Sequence, residues 1–236
     1  MLKCRIAIKL PNQRYKLFKP FFIGVNANIS KKTLDNWNEF KECDELKKIT
    51  NNHKIGVIKM EVQRNTMPNI KFLKQVRELA TKKNIVLIFD ECTSGFRQSF
   101  GGLHKSINII PDMAIFGKAL GNGYAITAVL GKDEVMEKAK KSFMSSTFWT
   151  ERIGPTAALK TLEIMESKTS WIKITEIGKK IVQGWHKLGE IYNLPMEISG
   201  LPSLAGFTIK SNDWFKYKTL ITQEMLKCGF LASNLV

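Results

Sequence analysis

Nowhere in this 236-residue chain does an apolar run reach the roughly 20 residues a helix needs to cross a bilayer. The opening Met1-Leu2-Lys3-Cys4-Arg5 has none of a signal peptide's apolar core. Cysteine is scarce: Cys4, Cys43, Cys92 and Cys228 are widely spaced and form no paired motif, which argues against a disulfide framework and suits reduced thiols in a cytoplasm. Histidine is scarcer still. His53, His104 and His186 each precede a lysine without metal-ligand spacing, so surface positions and no metal are expected. Arginine supplies only 6 of 37 basic residues, and the lysines are scattered with no long basic block. Surfaces that bind nucleic acid concentrate arginine and interleave aromatics on one face, so the net charge of +16 is read as solvated surface, with neither nucleic acid nor membrane as partner. Repeats and low-complexity segments are absent.

What is present points to an α/β protein. With 44% hydrophobic residues, the length suits one large domain or a domain and a half. Ile55 to Met60, Ile85 to Phe89 and Met113 to Phe116 are short apolar runs bounded by polar residues, the pattern of buried parallel strands. Pro68-Asn69 opens a helix with Ile70, Leu73, Val76 and Leu79-Ala80 at helical spacing, which makes a βαβ unit with the flanking runs. Another strand is expected at Tyr124 to Leu130 after the Gly121-Asn122-Gly123 turn, and helices at about 34–46, 132–141, 154–167 and 171–192. Beyond the Asn193-Leu194-Pro195 break, a strand at 206–209, a helix at 213–227 ending at Gly229 and a strand starting at Phe230 are expected.

Two of these runs end in chemistry. One delivers Asp90, the other Gly117 and Lys118, and open α/β sheets place their sites just beyond the carboxyl ends of strands. If the two are neighbours, an acid and an amine face one crevice. A lysine at a strand tip between glycines suggests an ammonium wanted there, because burial disfavours its charge and a lysine so shifted is a Schiff-base nucleophile. The pair Asp90-Glu91 also fits the acidic strand of a P-loop ATPase, with aspartate on Mg²⁺ and glutamate activating water. That reading needs Gly-x-x-x-x-Gly-Lys-Ser/Thr upstream, and no such segment exists.

The stretch Asp90-Glu91-Cys92-Thr93-Ser94-Gly95-Phe96-Arg97, then Pro111-Asp112, then Gly117-Lys118-Ala119-Leu120-Gly121-Asn122-Gly123-Tyr124, resembles the signature of class III aminotransferases, which use pyridoxal 5′-phosphate (PLP). Its Gly-Phe-Arg is most similar to the glutamate-1-semialdehyde 2,1-aminomutase-like branch, as is the segment Ser145 to Pro155. The resemblance runs from about Ile55 to Ser167 and more weakly to the C-terminus. It implies a three-layer PLP-dependent transferase fold (fold type I, aspartate aminotransferase-like), with a partial large domain over 1–194 and the start of a small α+β C-terminal domain over 195–236.

The resemblance also implies roles. Lys118 would hold PLP as a Schiff base and shuttle the proton, while Asp90 would pair with the pyridine nitrogen, so Asp90→Asn is expected to spare folding and damage catalysis. Cys92 stands where the family places a valine against the ring. Thr147 matches a hydroxyl that reaches the PLP phosphate from the neighbouring subunit, although a Ser-Ser-Thr run by itself is a turn or cap. Glu61 matches the acid of a Glu-Pro segment, with Val62 replacing the proline, and Asn65 falls one residue before an asparagine that reaches the phenolic oxygen. Arg97 either holds an acidic substrate or pairs with Glu91, and the pairing is favoured.

The family's glycine and serine or threonine turn for the phosphate does not precede Glu61, and no aromatic-His-Gly segment occurs. A truncated chain is therefore expected. Amino-group transfer between substrates or within one, in a cytoplasmic homodimer with a shared site and a small-molecule amino donor or acceptor, is the expected function. The alternative is a non-catalytic basic protein on a degenerate aminotransferase fold, binding polyanions with steep salt dependence.

Overall fold

The computed structural model describes residues 5–7, 22–24, 41–53, 55–63, 69–140 and 151–235. Six strands form one sheet: β1 (Arg5–Ala7), β2 (Phe22–Gly24), β3 (Val57–Glu61), β4 (Val86–Asp90), β5 (Met113–Phe116) and β6 (Thr127–Gly131), in the order β1-β6-β5-β4-β3-β2. Strands β2 to β5 are mutually parallel, β6 runs back antiparallel to β5, and β1 pairs parallel with β6.

The three central runs alternate in burial. Ile58 and Met60 of β3, Leu87 and Phe89 of β4, and Ala114 and Phe116 of β5 are buried, whereas the residues between them are half-buried. The period of two sends alternate side chains to opposite faces, and one face takes the cover. For β3 and β4 that cover is helix α2 (Ile70–Lys82), which follows α1 (Lys41–Asn52). Helix α2 starts because the Asn69 side chain accepts the backbone N–H of Lys71 at 2.8 Å, and it buries Leu73, Val76, Leu79 and Ala80 at helical spacing. Each large aliphatic removed from water there contributes about 1.5–3 kcal/mol, so the spacing of four residues decides which face of α2 meets the sheet. A second cluster joins Phe96, Phe116, Leu120 and Ile126 to Ala158 and Met165 of α4 (Ile153–Lys168).

Asp112 pins the near end of this layer. Its carboxylate accepts Arg77 of α2 at 2.8 Å, the Leu87 backbone N–H at 2.8 Å and Lys132, just ahead of α3 (Asp133–Lys140), at 2.7 Å. Burial pushes this carboxyl up, but the Leu87 N–H and the two cations outweigh it and hold it below its ordinary 3.8. A group depressed on folding contributes stability above its unfolded value and loses it as pH falls through the folded one. Asp112→Asn is thus expected to lose about 1–2 kcal/mol at pH 7 in urea unfolding. The gap to wild type should close at acid pH, below 3.8. A gap that stays constant with pH would show that the charge is irrelevant.

Helix α5 (Ser170–Ile191) leads to a two-stranded antiparallel sheet, β7 (Met196–Ser199) and β8 (Gly206–Ile209), followed by α6 (Trp214–Lys227). A Cβ at Gly178 of α5 would lie 1.9 Å from the Pro202 carbonyl, so only glycine lets helix and β7–β8 connection touch. Leu201, next to that proline, is buried in the cluster of β3, β4 and α2.

Several expectations shift. Strands β1, β2 and β7 add to the expected set, and the expected strand at Phe230 is a single bridge between Gly206 and Leu235. The helix expected at 34–46 lies at 41–52, with its expected beginning outside the described residues. Strand β6 starts at Thr127 rather than Tyr124 because the N–H of Tyr124 is spent on the Gly121 carbonyl in the turn.

Candidate functional site

Strands β4 and β5 are parallel neighbours, with Asp90 level with Ile115, so the carboxylate and the Gly117-Lys118 connection lie at the same end of the sheet. Asp90 occupies the half-buried face, its side chain 19% exposed. Its Oδ1 accepts the Cys92 N–H at 3.1 Å and its Oδ2 lies 2.7 Å from Lys59 Nζ on β3. Burial pushes the Asp90 carboxyl up; the Lys59 ammonium and the Cys92 N–H more than offset this, so it stays below the usual aspartate value and is ionised at neutral pH.

Lys118 takes a left-handed backbone conformation, φ 48°, at the start of a short 3-10 turn. That region is disfavoured for a residue with a Cβ, and such outliers gather at functional sites. The ammonium donates to Thr93 Oγ1 at 2.7 Å, which draws it back over the connection that follows β4. The burial expected for this lysine is not observed, since Lys118 is exposed.

Cys92 sits among these groups. Burial, then the negative charge of Asp90, push its thiol up to about 11, while Lys118 and Lys59 pull the other way. One sulfur thus feels both the acid and the lysine, and it is a neutral, soft surface at pH 7. A Cβ at Gly117 would lie 3.4 Å from Cys92 Sγ and 3.3 Å from Thr127 Cγ2, so a larger residue would crowd this floor. A carboxylate, an amine and a small soft side chain at one sheet end are the donor set that a planar, nitrogen-containing aldehyde needs, so the residues fit PLP.

The connection that carries Cys92 and Thr93 is organised by Glu91, which is fully buried. Its carboxylate accepts Ser94 Oγ at 2.5 Å, the N–H groups of Leu103 and His104 at 2.9 Å each, and His104 Nδ1 at 2.8 Å. Two expectations fall here. His104 is buried, 8% exposed, because its ring is needed by that carboxylate, whereas His53 and His186 are exposed as expected. Arg97 does not pair with Glu91, whose acceptors are taken by Ser94, Leu103 and His104; the Arg97 Nε is buried without a hydrogen-bond partner.

Glu61 ends β3 level with Asp90 and is half-buried. Asn65 and Thr147 lie outside the described residues. Lys59 is a site residue that the motifs do not include, and its one signal in the sequence is a charge set inside the apolar run Val57-Ile58-Lys59-Met60 on the strand next to Asp90. Thr93 offered no comparable signal.

Comparison with known proteins places the chain in a family. The family model described as aminotransferase class-III matches residues 15–234. A 3-aminobutyryl-CoA aminotransferase from Cloacimonas acidaminovorans is 36% identical over 91% of this chain and 55% of its own length. A glutamate-1-semialdehyde 2,1-aminomutase from Methanosphaera stadtmanae is 29% identical over 85% of this chain and 49% of its own. Among solved structures, the FumI protein of Sphingopyxis sp. MTA144, in its PLP internal aldimine form, superposes with a TM-score of 0.75 at 18% identity, covering 84% of this chain and 50% of that one. Acetylornithine aminotransferase from Elizabethkingia anophelis gives 0.72 at 23% identity, covering 83% and 52%. The chain spans about half the length of the curated relatives it matches. Its fold is that of the fold type I PLP-dependent transferases. With acid, thiol and lysine of the motif gathered at one end of that sheet, the chain belongs to the class III aminotransferase family.

Proposed function

We propose that this chain carries the ring-binding half of a PLP-dependent amino-group transfer site, with Lys118 as its catalytic residue. The observation that carries this reading is that Asp90, from β4, and Lys118, after β5, both reach the connection that follows β4, at the Cys92 N–H and the Thr93 hydroxyl. PLP supplies the electron sink for a carbanion next to the transferred nitrogen. Asp90, ionised at neutral pH, would hold a proton on the ring nitrogen. Lys118 Nζ would be the amine that holds that group and the base that carries a proton to and from the substrate carbon. Thr93 accepts from the ammonium and positions it for both tasks. Cys92, with its thiol raised to about 11, offers the ring face a neutral sulfur rather than a thiolate that would compete for the aldehyde.

The remaining roles complete the same proposal: Glu61 and Asn65 toward the ring's substituents, and Thr147 toward a phosphate in the partner subunit of a homodimer. The start of a smaller C-terminal unit at 195–236 and a cytoplasmic setting belong to it too. The substrate is a small molecule that gives or takes an amino group. Both transfer between substrates and rearrangement within one are consistent with the relatives found. Among the described residues no helix is long and apolar enough to cross a membrane.

The test is direct. The protein is incubated with PLP, reduced with borohydride and digested, and the phosphopyridoxyl group is located by mass spectrometry. Label on Lys118 is the expected result; label on another lysine, or none, defeats the assignment.

A further inference from the structure

Both oxygens of Asp90 are already engaged by this chain. Oδ1 accepts the backbone N–H of Cys92, and Oδ2 is held by Lys59 Nζ at 2.7 Å. Lys59 stands on β3 level with Ile88, two positions before Glu61, and reaches along the sheet end to the carboxylate. We infer that Lys59 is a built-in competitor for Asp90: its ammonium occupies the oxygen that a ring N–H would take, weakens cofactor binding and is released toward solvent when the cofactor docks. The inference rests on Asp90 being the ring-nitrogen partner, as proposed above.

Geometry says which donor yields. The Cys92 N–H belongs to the backbone where β4 ends and cannot leave. Lys59 is 42% exposed against 19% for Asp90, so its ammonium has open solvent to move into while the acid does not. A protonated ring nitrogen and an ammonium on one carboxylate are like charges side by side, which disfavours their coexistence. Ile58 and Met60 are in the core whereas Lys59 faces the other side of β3, so its side chain can swing outward without disturbing the buried cluster of that strand. Without the cofactor, the ion pair keeps Asp90 from standing as a lone, partly buried charge.

The probe is 4′-deoxypyridoxine 5′-phosphate, which keeps the ring nitrogen and phosphate but lacks the aldehyde, so its binding is independent of Lys118 chemistry. Its Kd is measured by ring fluorescence at pH 8 for wild type, Lys59→Met, Lys59→Gln, Asp90→Asn and Lys59→Met combined with Asp90→Asn. Both Lys59 variants should bind about fivefold more tightly than wild type, the range expected for losing a partly exposed ion pair. In the Asp90→Asn background the Lys59 substitution should change nothing. Equal or weaker binding by both Lys59 variants, or a gain that persists without Asp90, overturns the inference. Should wild-type protein trap PLP on Lys118 while the Lys59 variants bind no better, the competitor role fails and the site stands. If no label forms on Lys118 while the Asp90-dependent gain appears, the Lys118 assignment fails and the competitor role stands.

Discussion

Lys118→Ala protein is expected to yield no phosphopyridoxyl peptide at position 118 after borohydride and to lose at least about 10³-fold in any amino-transfer rate, since one nitrogen serves as covalent anchor and as proton carrier and proton transfer alone contributes roughly 10²–10⁴-fold. Folding should be spared. Lys118 is exposed and its described side-chain partner is Thr93, so midpoint and slope in urea should stay within about 0.5 kcal/mol of wild type. Alanine inherits the left-handed backbone that lysine already tolerates, φ 48°, and adds no new strain. A variant that still acquires the wild-type absorption band with PLP would move the nucleophile elsewhere. One that unfolds would show the lysine to be structural.

Glu91→Ala should produce the opposite pattern, a large loss of stability from a residue that touches no reacting atom. The carboxylate is completely buried and accepts from Ser94, the N–H groups of Leu103 and His104, and the His104 ring. Burial works against its charge, but these four donors prevail and hold the carboxyl below its usual range. Truncation strands the donors in a dry interior, and removing one side of such a buried network typically costs about 3–5 kcal/mol. Glu91→Gln keeps one acceptor oxygen but turns an NH₂ toward donors, so a smaller loss of about 1–3 kcal/mol is expected. Chemical unfolding of the three proteins at pH 7 decides this. If alanine and glutamine variants are both within 0.5 kcal/mol of wild type, roughly the scale of surface substitutions, the carboxylate does not hold the loop.

The two predictions separate what could be read from the chain and what could not. Asp90 and Lys118 were legible because each ends a short apolar run whose alternate residues go into the core, and their neighbourhood follows from parallel β4 and β5. Helix α2 was legible because its cap and its buried spacing are local. Strands of three residues, β1 and β2, exist only through pairing with β6 and β3, partners distant in sequence, so nothing local announces them. β7 hides behind Pro195 and the short alternation Met196-Glu197-Ile198-Ser199, which makes sense only opposite β8. The burial of His104 was illegible for a similar reason: its partner is 13 residues away across irregular backbone, and lysine on its C-terminal side suggested solvent. Lys59 is the instructive case, because its strand was recognised while the meaning of one charge within it depended on the neighbouring strand.

The connection between β7 and β8 is held at two points, Leu201 inside the main cluster and Pro202 against the bare backbone of Gly178, whereas the hairpin's open ends meet through the Lys210 N–H and Pro195 carbonyl. Phe207 of β8 also meets Trp185 of α5 edge-on, ring centroids 4.9 Å apart, so the hairpin is tied to that helix along its length as well as at its bend. A side chain at Gly178 would therefore have to displace the bend and, through it, Leu201 from the main cluster.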